Sequence, residues 1–189
     1  MKAIKMFLLV ASMTVLASCG TKTQTETQNE SEATAQQADE HGFLVKIGDE
    51  APDFTAKTIT GETVKLSDYR GKVVMLQFTA SWCRVCREEM PHIEQEIWQQ
   101  HKDNPNFVLL ALDRDEPIEK ATHMVETIGI TYPVVLDPNA EIFTKYALAE
   151  AGVTRNVLID EKGKVIYLTR LFDPAEFQNF VKFIDEHVN

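Results

Sequence analysis

The chain has 189 residues, of which 44% are hydrophobic and 25% are charged, a composition typical of one soluble globular domain with a short appendage. Its net charge of −10 argues against a nucleic-acid partner, because affinity for a phosphate backbone depends on a basic surface that this sequence lacks. The sequence also contains no glycine-rich phosphate-binding loop, which argues against a nucleotide-dependent enzyme.

The first 18 residues are predicted to be a signal peptide. Lys2 and Lys5 form a basic start, and the apolar run at 6–16 is too short to span a bilayer as a stable helix. The motif at 16–20, Leu-Ala-Ser-Cys-Gly, resembles the bacterial lipobox, in which cleavage precedes a cysteine that is then acylated. An ordinary signal peptide followed by an unrelated cysteine is the alternative. The lipobox predicts a lipid anchor on Cys19 and a location in the bacterial cell envelope, facing the periplasm or on the outer face of the cytoplasmic membrane.

Residues 19–42 are predicted to be the lipidated cysteine and a flexible tether. From Thr21 to His41 the sequence is mainly Thr, Gln, Glu, Ser and Ala, and it cannot bury enough surface to offset its ordering entropy. Cleavage removes two lysines and no acidic residue, so 17 basic against 29 acidic residues give the mature chain a net charge of −12. Lipid attachment to Cys19 leaves Cys83 and Cys86 as one cysteine pair.

The folded domain is predicted to cover residues 43–189. Alternating residues on both sides of 60–62 predict an N-terminal β-hairpin, and the apolar runs at 72–79 and 106–113 predict buried strands. A helix is predicted after each of these two strands, and Pro91 should kink the first helix. The later predicted elements are an extended segment at 132–137, a short helix at 139–148, a hairpin at 155–170 and a helix from Pro174. This order predicts an α/β fold with a central mixed sheet and helices on both faces.

The motif Cys83-Arg84-Val85-Cys86 lies directly between the first buried strand and its helix. Unpaired N–H groups and the positive end of the helix dipole stabilise a thiolate on the first cysteine, and the thiolate is the attacking species in disulfide exchange. Cys83, expected at an exposed tip after Trp82, is therefore predicted to be the nucleophile, and Cys86 the thiol that resolves the mixed disulfide. Arg84 is expected to lower the pKa of Cys83 further.

Two other uses of the cysteine pair are weaker interpretations. A structural zinc site needs four ligands, and the histidines show no paired spacing that would complete one. A permanent structural disulfide would close only a four-residue loop, which removes little chain entropy. The sequence therefore favours a redox-active pair, with no cofactor and no metal.

Three segments, at 47–54, 66–74 and 80–91, resemble the TlpA/ResA-like branch of the thioredoxin superfamily, and shorter matches at 132–134 and 157–160 extend the similarity. The resemblance implies a thioredoxin-like fold with an extra N-terminal β-hairpin. It also implies an insertion between the central strand and the following helix that carries Tyr132 to Leu148. The implied activity is disulfide exchange with protein thiols outside the cytoplasmic membrane, more often as a reductant, with a membrane or periplasmic electron-transfer partner.

The resemblance also assigns site residues. Glu89 matches a glutamate that assists proton movement at the cysteines, and its i,i+3 spacing places it on the helical face of Cys86; a solvated helix carboxylate is the alternative. Trp82 matches the aromatic residue beside the active cysteine, although simple packing would also explain it. Gln77 departs from the pattern, because thioredoxins carry a buried acid at this strand position.

Thr154 is the larger departure, because the family carries a cis-proline there. A cis bond before a non-proline residue costs about 2.5–4 kcal/mol, so either a trans peptide or a strained loop is expected. In the family this loop, here with Val153 and Thr154, pairs with the backbone of the substrate. We hypothesise that the Thr154 hydroxyl hydrogen-bonds the Cys83 thiolate and lowers its pKa.

Two alternative functions remain open from the sequence. A peroxiredoxin-type thiol peroxidase would need a proline and a threonine upstream of the nucleophile, where this chain has Leu76 and Ala80. A non-catalytic thioredoxin-fold binding lipoprotein is the second alternative, and the retained cysteine pair argues against it.

Overall fold

A computed structural model describes residues 38–188 of the chain. The predicted signal peptide at 1–18, the lipidation site Cys19 and nearly all of the predicted tether lie outside the described residues and stay predictions. The domain boundary at residue 43 also stays a prediction. Close to that boundary, Phe43 forms an isolated bridge with Ala147 and Leu44 donates its N–H to the carbonyl of Tyr146.

Residues 38–188 contain strands of both orientations. They are β1 Thr55–Lys57, β2 Thr63–Lys65, β3 Val73–Thr79, β4 Phe107–Arg114, β5 Val134–Asp137, β6 Arg155–Ile159 and β7 Val165–Arg170. The last five form one mixed sheet in the order β5-β4-β3-β6-β7, in which β3 is parallel to β4 and antiparallel to β6. Every residue of β3 is buried, as its continuous apolar run predicts. The predicted central mixed sheet is confirmed.

The helices are α1 Arg84–His92, α2 Gln99–His101, α3 Ile118–Ile128, α4 Phe143–Tyr146 and α5 Pro174–Val188. A π-helical stretch, Ile93–Trp98, joins α1 to α2. Pro91 lies just before this stretch, and its missing N–H removes one i→i−4 hydrogen bond, so the expected disruption takes the form of a π-helical segment. None of the helices within 38–188 has the length and apolar character needed to cross a membrane.

Helices pack on both faces of the sheet, as predicted. Met90 of α1, Met124 of α3 and Phe180 of α5 share one hydrophobic cluster with residues of β3 and β4. Phe143 of α4 and Val64 of the small hairpin belong to the cluster on the opposite face. The domain therefore buries apolar surface on both sides of its sheet, which is the layered arrangement expected of an α/β fold.

The N-terminal hairpin and the insertion lie together at the β5 edge. β1 and β2 pair antiparallel, as predicted, and Thr58 bridges to Val135 of β5. The segment from Tyr132 to Leu148 lies between α3 and β6 and not between β3 and α1, which are separated by only four residues. The helix predicted at 139–148 is shorter in the structure, since left-handed backbone conformations at Asn139 and Ala140 interrupt it before α4.

The sheet brings two loops to the same place. β3 ends at Thr79, directly before the cysteine motif, and β6 begins at Arg155, directly after Thr154. Because Phe78 of β3 pairs with Arg155 of β6, the loop that follows β3 and the loop that precedes β6 lie side by side at the same end of the sheet. The fold therefore juxtaposes segments that are separated by about seventy residues of sequence.

Candidate active site

Cys83 and Cys86 form a disulfide at the start of α1, with their Cα atoms 5.3 Å apart. Cys86 is fully buried, whereas 8% of Cys83 is exposed. The expectation of an exposed tip was wrong for Cys83, because it belongs to the hydrophobic cluster that also contains Ala80 and Val153. The residual exposure nevertheless leaves Cys83 as the sulfur that a substrate can reach.

The N-terminus of α1 acts directly on Cys83. This residue caps the helix, and its Sγ accepts a hydrogen bond from the backbone N–H of Cys86 at 3.2 Å. An N–H donor and the helix dipole both favour a negative charge on this sulfur. Arg84 is exposed and its Nη1 donates to Glu88 at 3.0 Å, so a carboxylate compensates its charge and solvent screens it.

Thr154 contacts both sulfurs from the facing loop. Its Oγ1 lies 3.2 Å from Cys83 Sγ and 3.2 Å from Cys86 Sγ. Because no peptide bond within 38–188 is cis, the bond before Thr154 is trans, which confirms the first of the two expected outcomes. Thr154 also accepts the backbone N–H of Leu171 at 3.1 Å, and Val153 beside it is buried. The hydroxyl thus occupies the position our hypothesis requires.

Glu89 lies inside the protein, one helical turn after Cys86 on α1. Only 2% of the residue is exposed, so the alternative of a solvated helix carboxylate was wrong. Its Oε1 accepts a hydrogen bond from Asn156 Nδ2 at 2.7 Å, and its Oε2 has no hydrogen-bond partner. Burial raises the pKa of Glu89 to about 7, and the nearby amides of Asn156 and Gln77 offset only part of this effect. A carboxyl group with this pKa exchanges protons readily near neutral pH.

Gln77 supports this site without titrating. It is fully buried on β3, and its Oε1 accepts the hydroxyl hydrogen bond of Tyr132 at 2.9 Å. Asn156, which the sequence analysis did not single out, pairs with Gln77 across β3 and β6 and also donates to Thr169 Oγ1 at 2.9 Å. Polar but neutral side chains therefore surround the Glu89 carboxyl on the sheet side.

Comparison with known proteins agrees with this geometry. A family model described as AhpC/TSA matches residues 47–168 of the chain. The thiol-disulfide oxidoreductase ResA of Bacillus thuringiensis is 34% identical over 122 residues, which cover 65% of this chain and 68% of that protein. The solution structure of a candidate protein disulfide isomerase from Bacteroides thetaiotaomicron is 57% identical, with a TM-score of 0.76, over 78% of this chain and 92% of that chain. The crystal structure of a candidate thiol:disulfide interchange protein DsbE from Chlorobium tepidum is 30% identical, with a TM-score of 0.68, over 77% of this chain and 99% of that chain.

The chain belongs to the AhpC/TSA family. Within this family it is a TlpA/ResA-like member of the thioredoxin superfamily, as the sequence motifs indicate. It is a thiol–disulfide oxidoreductase with Cys83 and Cys86 as its Cys-X-X-Cys pair. An enzyme of this class, rather than a non-catalytic binding protein, accounts for the retained cysteines.

In this TlpA/ResA-like site, exposed apolar side chains stand on both sides of the disulfide. Trp82 is 61% exposed, which excludes the interpretation that it merely packs into the core, and it directly precedes Cys83. Leu171 is 45% exposed and is hydrogen-bonded through its N–H to Thr154. An apolar rim around a nearly buried sulfur is suited to a protein substrate rather than to a small ionic one.

A small cavity of about 10 Å³ opens next to Glu89, on the side of α5. Its lining consists of Glu89, Thr169, Leu171, Phe172, Asp173, Glu176 and Phe177. This volume corresponds to roughly one water molecule. The negative charge of Glu176 adds to the effect of burial in raising the pKa of Glu89.

Two more acidic residues, which the sequence analysis missed, lie on the β4 side of the cysteine motif. Glu116 accepts hydrogen bonds from Ser81, at 2.5 Å from the backbone N and 2.6 Å from Oγ. Asp113 is fully buried on β4, and neither of its carboxyl oxygens has a hydrogen-bond partner. Burial and the nearby Glu116 raise the pKa of Asp113 to about 7. An acidic residue within the predicted buried strand at 106–113 was the available signal.

Proposed function

We propose that this oxidoreductase is a lipid-anchored, extracytoplasmic reductant of protein disulfides, with Cys83 as nucleophile, Cys86 as resolving thiol and Glu89 as proton carrier. The observation that carries the proposal is the unequal setting of the two sulfurs. Cys83 is 8% exposed at a helix N-terminus, whereas Cys86 is fully buried one helical turn before the buried residue Glu89. A charge is thus favoured on one sulfur, and a proton acceptor is close to the other.

The first step is attack by the Cys83 thiolate on a substrate disulfide. A bond forms between Cys83 Sγ and one substrate sulfur, the substrate S–S bond breaks, and the leaving sulfur takes up a proton as a thiol. The N–H of Cys86 and the Thr154 hydroxyl stabilise the attacking thiolate. Trp82 and the loop with Val153 and Thr154 form the surface on which the substrate docks.

The second step releases the substrate. Cys86 loses its proton to Glu89, and its thiolate attacks Cys83 Sγ. The bond between Cys83 and the substrate breaks, and the second substrate sulfur leaves as a thiolate that takes up a proton from Glu89 or from solvent. The Cys83–Cys86 disulfide is formed, and two electrons have passed from the pair to the substrate. A dithiol partner in the membrane or the periplasm then reduces the pair again.

The direction of electron flow is supported by the burial of the pair. Removing sulfur from water disfavours the thiolate, and therefore the reduced form in which a thiolate is present. The mature charge of −12 acts in the same direction. The helix N-terminus opposes this effect at Cys83 only, and the Thr154 hydroxyl, 3.2 Å from each sulfur, does not distinguish between them. We therefore expect a reduction potential closer to about −270 mV, typical of thioredoxin, than to about −120 mV, typical of the oxidant DsbA.

The function is tested by insulin reduction with dithiothreitol, together with a glutathione titration of the potential. We expect turnover in the native protein, none in Cys83→Ala, and a reducing potential. Recovery of activity from a scrambled disulfide substrate without net reduction would instead favour isomerisation, the activity named for the Bacteroides thetaiotaomicron relative. Fast consumption of peroxide by the reduced protein would favour the peroxidase alternative.

The anchor is proposed on the motif at 16–20 and is tested separately. We expect metabolic labelling with radioactive palmitate to mark the native chain and not Cys19→Ala, and the native chain to fractionate with membranes. A labelled Cys19→Ala variant, or an unlabelled native chain found in the cytoplasm, would contradict the anchor without affecting the oxidoreductase chemistry.

A further inference from the structure

The turn that carries the nucleophile is hydrogen-bonded to a distant residue, Glu116. Both carboxylate oxygens of Glu116 accept hydrogen bonds from Ser81, one from its backbone N–H at 2.5 Å and one from its hydroxyl at 2.6 Å. Glu116 lies between β4 and α3, 35 residues away in sequence. Two hydrogen bonds from one carboxylate fix both the position and the orientation of a residue better than one contact does.

Ser81 is at the centre of the short turn that sets Cys83. The chain leaves β3 at Thr79, and the Cys83 N–H donates to the carbonyl of Ala80 at 3.0 Å, which closes the turn around Ser81. Trp82, the other residue inside this turn, is mostly exposed, so its side chain adds little packing. Of the two residues inside the turn, Ser81 is therefore the one that is tied to another segment, whereas Ala80 and Cys83 at its ends are held by the core.

We propose that Glu116 is a positioning residue for thiol–disulfide exchange, which holds the Ala80–Cys83 turn through Ser81 and thereby keeps Cys83 Sγ on the N–H donor of Cys86. The stabilisation of a thiolate by that donor depends on distance and angle, so a loosened turn weakens it. Glu116 touches neither sulfur nor substrate in this role. It acts through Ser81 and the geometry of the cap.

Asp113 provides a second, independent observation at the same place. It lies opposite Thr79 in the β3–β4 register and is fully buried without hydrogen-bond partners. The charges that act on it are the carboxylates of Glu116 and Asp137. A neutral Asp113 leaves Glu116 free to accept from Ser81, whereas an ionised Asp113 repels Glu116.

The test is the pH dependence of Cys83 alkylation in the reduced, full-length protein. Trypsin cleaves after Arg84 and separates the two cysteines, so mass spectrometry reports iodoacetamide labelling of Cys83 alone. Ser81→Ala removes the hydroxyl hydrogen bond, and Glu116→Gln replaces two charge-assisted hydrogen bonds by weaker neutral ones. We expect each variant to move the pH midpoint of Cys83 labelling upward and to slow labelling at pH 7 by about fivefold. The double variant should show less than the sum of the two single effects, because both changes act on the same contact.

The controls separate positioning from simple charge. Glu119→Gln removes a carboxylate that is exposed in the first turn of α3, and Ser81→Thr keeps the hydroxyl; both should retain the native midpoint. If Glu116→Gln lowers the midpoint while Ser81→Ala has no effect, Glu116 acts only as a nearby charge and the proposal is overturned. Unchanged labelling in both variants overturns it as well. Circular dichroism of each oxidised variant checks that the fold is intact, and Ser81→Ala, a small change at a partly exposed residue, keeps the test informative if Glu116→Gln does not fold.

This inference rests only on a reactive Cys83 and not on the direction of electron flow or the anchor. Labelling with a small reagent needs no protein substrate and no membrane. An oxidising potential or a missing lipid would therefore refute parts of the proposed function without affecting the proposed role of Glu116. Unchanged labelling in both variants would refute the role of Glu116 while the insulin assay remained positive.

Discussion

The two sulfurs of one disulfide have different surroundings. Cys83 Sγ accepts a hydrogen bond from the backbone N–H of Cys86, a donor that Cys86 Sγ does not share, whereas the Thr154 hydroxyl lies 3.2 Å from both sulfurs. On the Cys86 side the important group is Glu89, a buried carboxyl group whose pKa is raised to about 7. In the proposed mechanism, the first setting stabilises a charge on Cys83 and the second accepts the proton of Cys86. The two tasks of the exchange reaction are then divided between the two cysteines.

The largest effects are expected from the cysteines themselves. Cys83→Ala should abolish insulin reduction, because no accessible nucleophile remains. Cys86→Ala should also lose turnover but should accumulate protein trapped through a disulfide at Cys83. Non-reducing electrophoresis measures the trapped species. Trapping through Cys86 in the Cys83→Ala variant at a similar level would show that the two sulfurs are interchangeable and would break the comparison.

Glu89→Gln should have the next largest effect on activity. A base that accepts the Cys86 proton must be ionised, so turnover of the native protein should rise as pH increases through about 7, the pKa of Glu89. The glutamine variant should turn over at least about tenfold more slowly, and its turnover should not rise with pH around 7. Glu88→Gln, an exposed neighbour on the same helix, is the matched control. Equal profiles in the two variants would remove Glu89 from the mechanism.

The same residue is expected to weaken the fold. Because burial raises the pKa of Glu89 from 4.5 to about 7, the stabilising contribution present below pH 4.5 is lost as pH rises to about 7. The loss amounts to at most about 3 kcal/mol. The free energy of unfolding of Glu89→Gln should therefore change less between these pH values than that of the native protein. Urea unfolding at pH 4.5 and pH 8 measures the difference. A steeper pH dependence in the variant would contradict the assigned sign.

Thr154→Val should have a smaller effect, which can be measured at Cys83 although the Thr154 hydroxyl lies 3.2 Å from both sulfurs. Valine has nearly the same shape but donates no hydrogen bond, so the pKa of Cys83 should rise and labelling at pH 7 should slow by about fivefold. Thr154→Ser keeps the hydroxyl and should behave like the native protein. The measurement is the alkylation rate of Cys83 across pH. An unchanged Cys83 titration in Thr154→Val would refute our hypothesis about this hydroxyl.

Glu176→Gln should produce the smallest shift. The carboxylate of Glu176 lies across the small cavity and contributes to the raised pKa of Glu89. Its removal should therefore shift the rise in turnover that is assigned to Glu89 to a slightly lower pH. Glu186→Gln, which changes an exposed carboxylate of the same helix, is the control and should leave this rise in place. An upward shift in Glu176→Gln would contradict the electrostatic origin of the effect.

Patterns within short segments predicted most of the fold. The apolar run at 72–79 gave β3, and the spacing of Cys86 and Glu89 along one helix placed both on one face. Alignment to the family placed Thr154 opposite the cysteines, which its contacts confirm. Each of these inferences depends on local periodicity or on a motif, both of which are visible along the chain.

The burial of Cys83 and Glu89 and the roles of Asn156 and Glu116 were not predicted. They depend on which loops cover the helix start, and this is fixed by packing between distant segments. Ser81 and Glu116 meet only because β3 and β4 lie side by side, and no periodicity within either segment encodes the contact. The solvated alternative for Glu89 failed for the same reason, since β6 supplies the Asn156 amide.

The division of tasks between the two sulfurs is tested most directly by labelling both cysteines of the reduced native protein at pH 6. Trypsin separates them at Arg84, so one digest reports both labelling rates. We expect rapid alkylation of Cys83, with Cys86 labelled only after the protein is unfolded in urea. Equal labelling of the two cysteines, or faster labelling of Cys86, would contradict it.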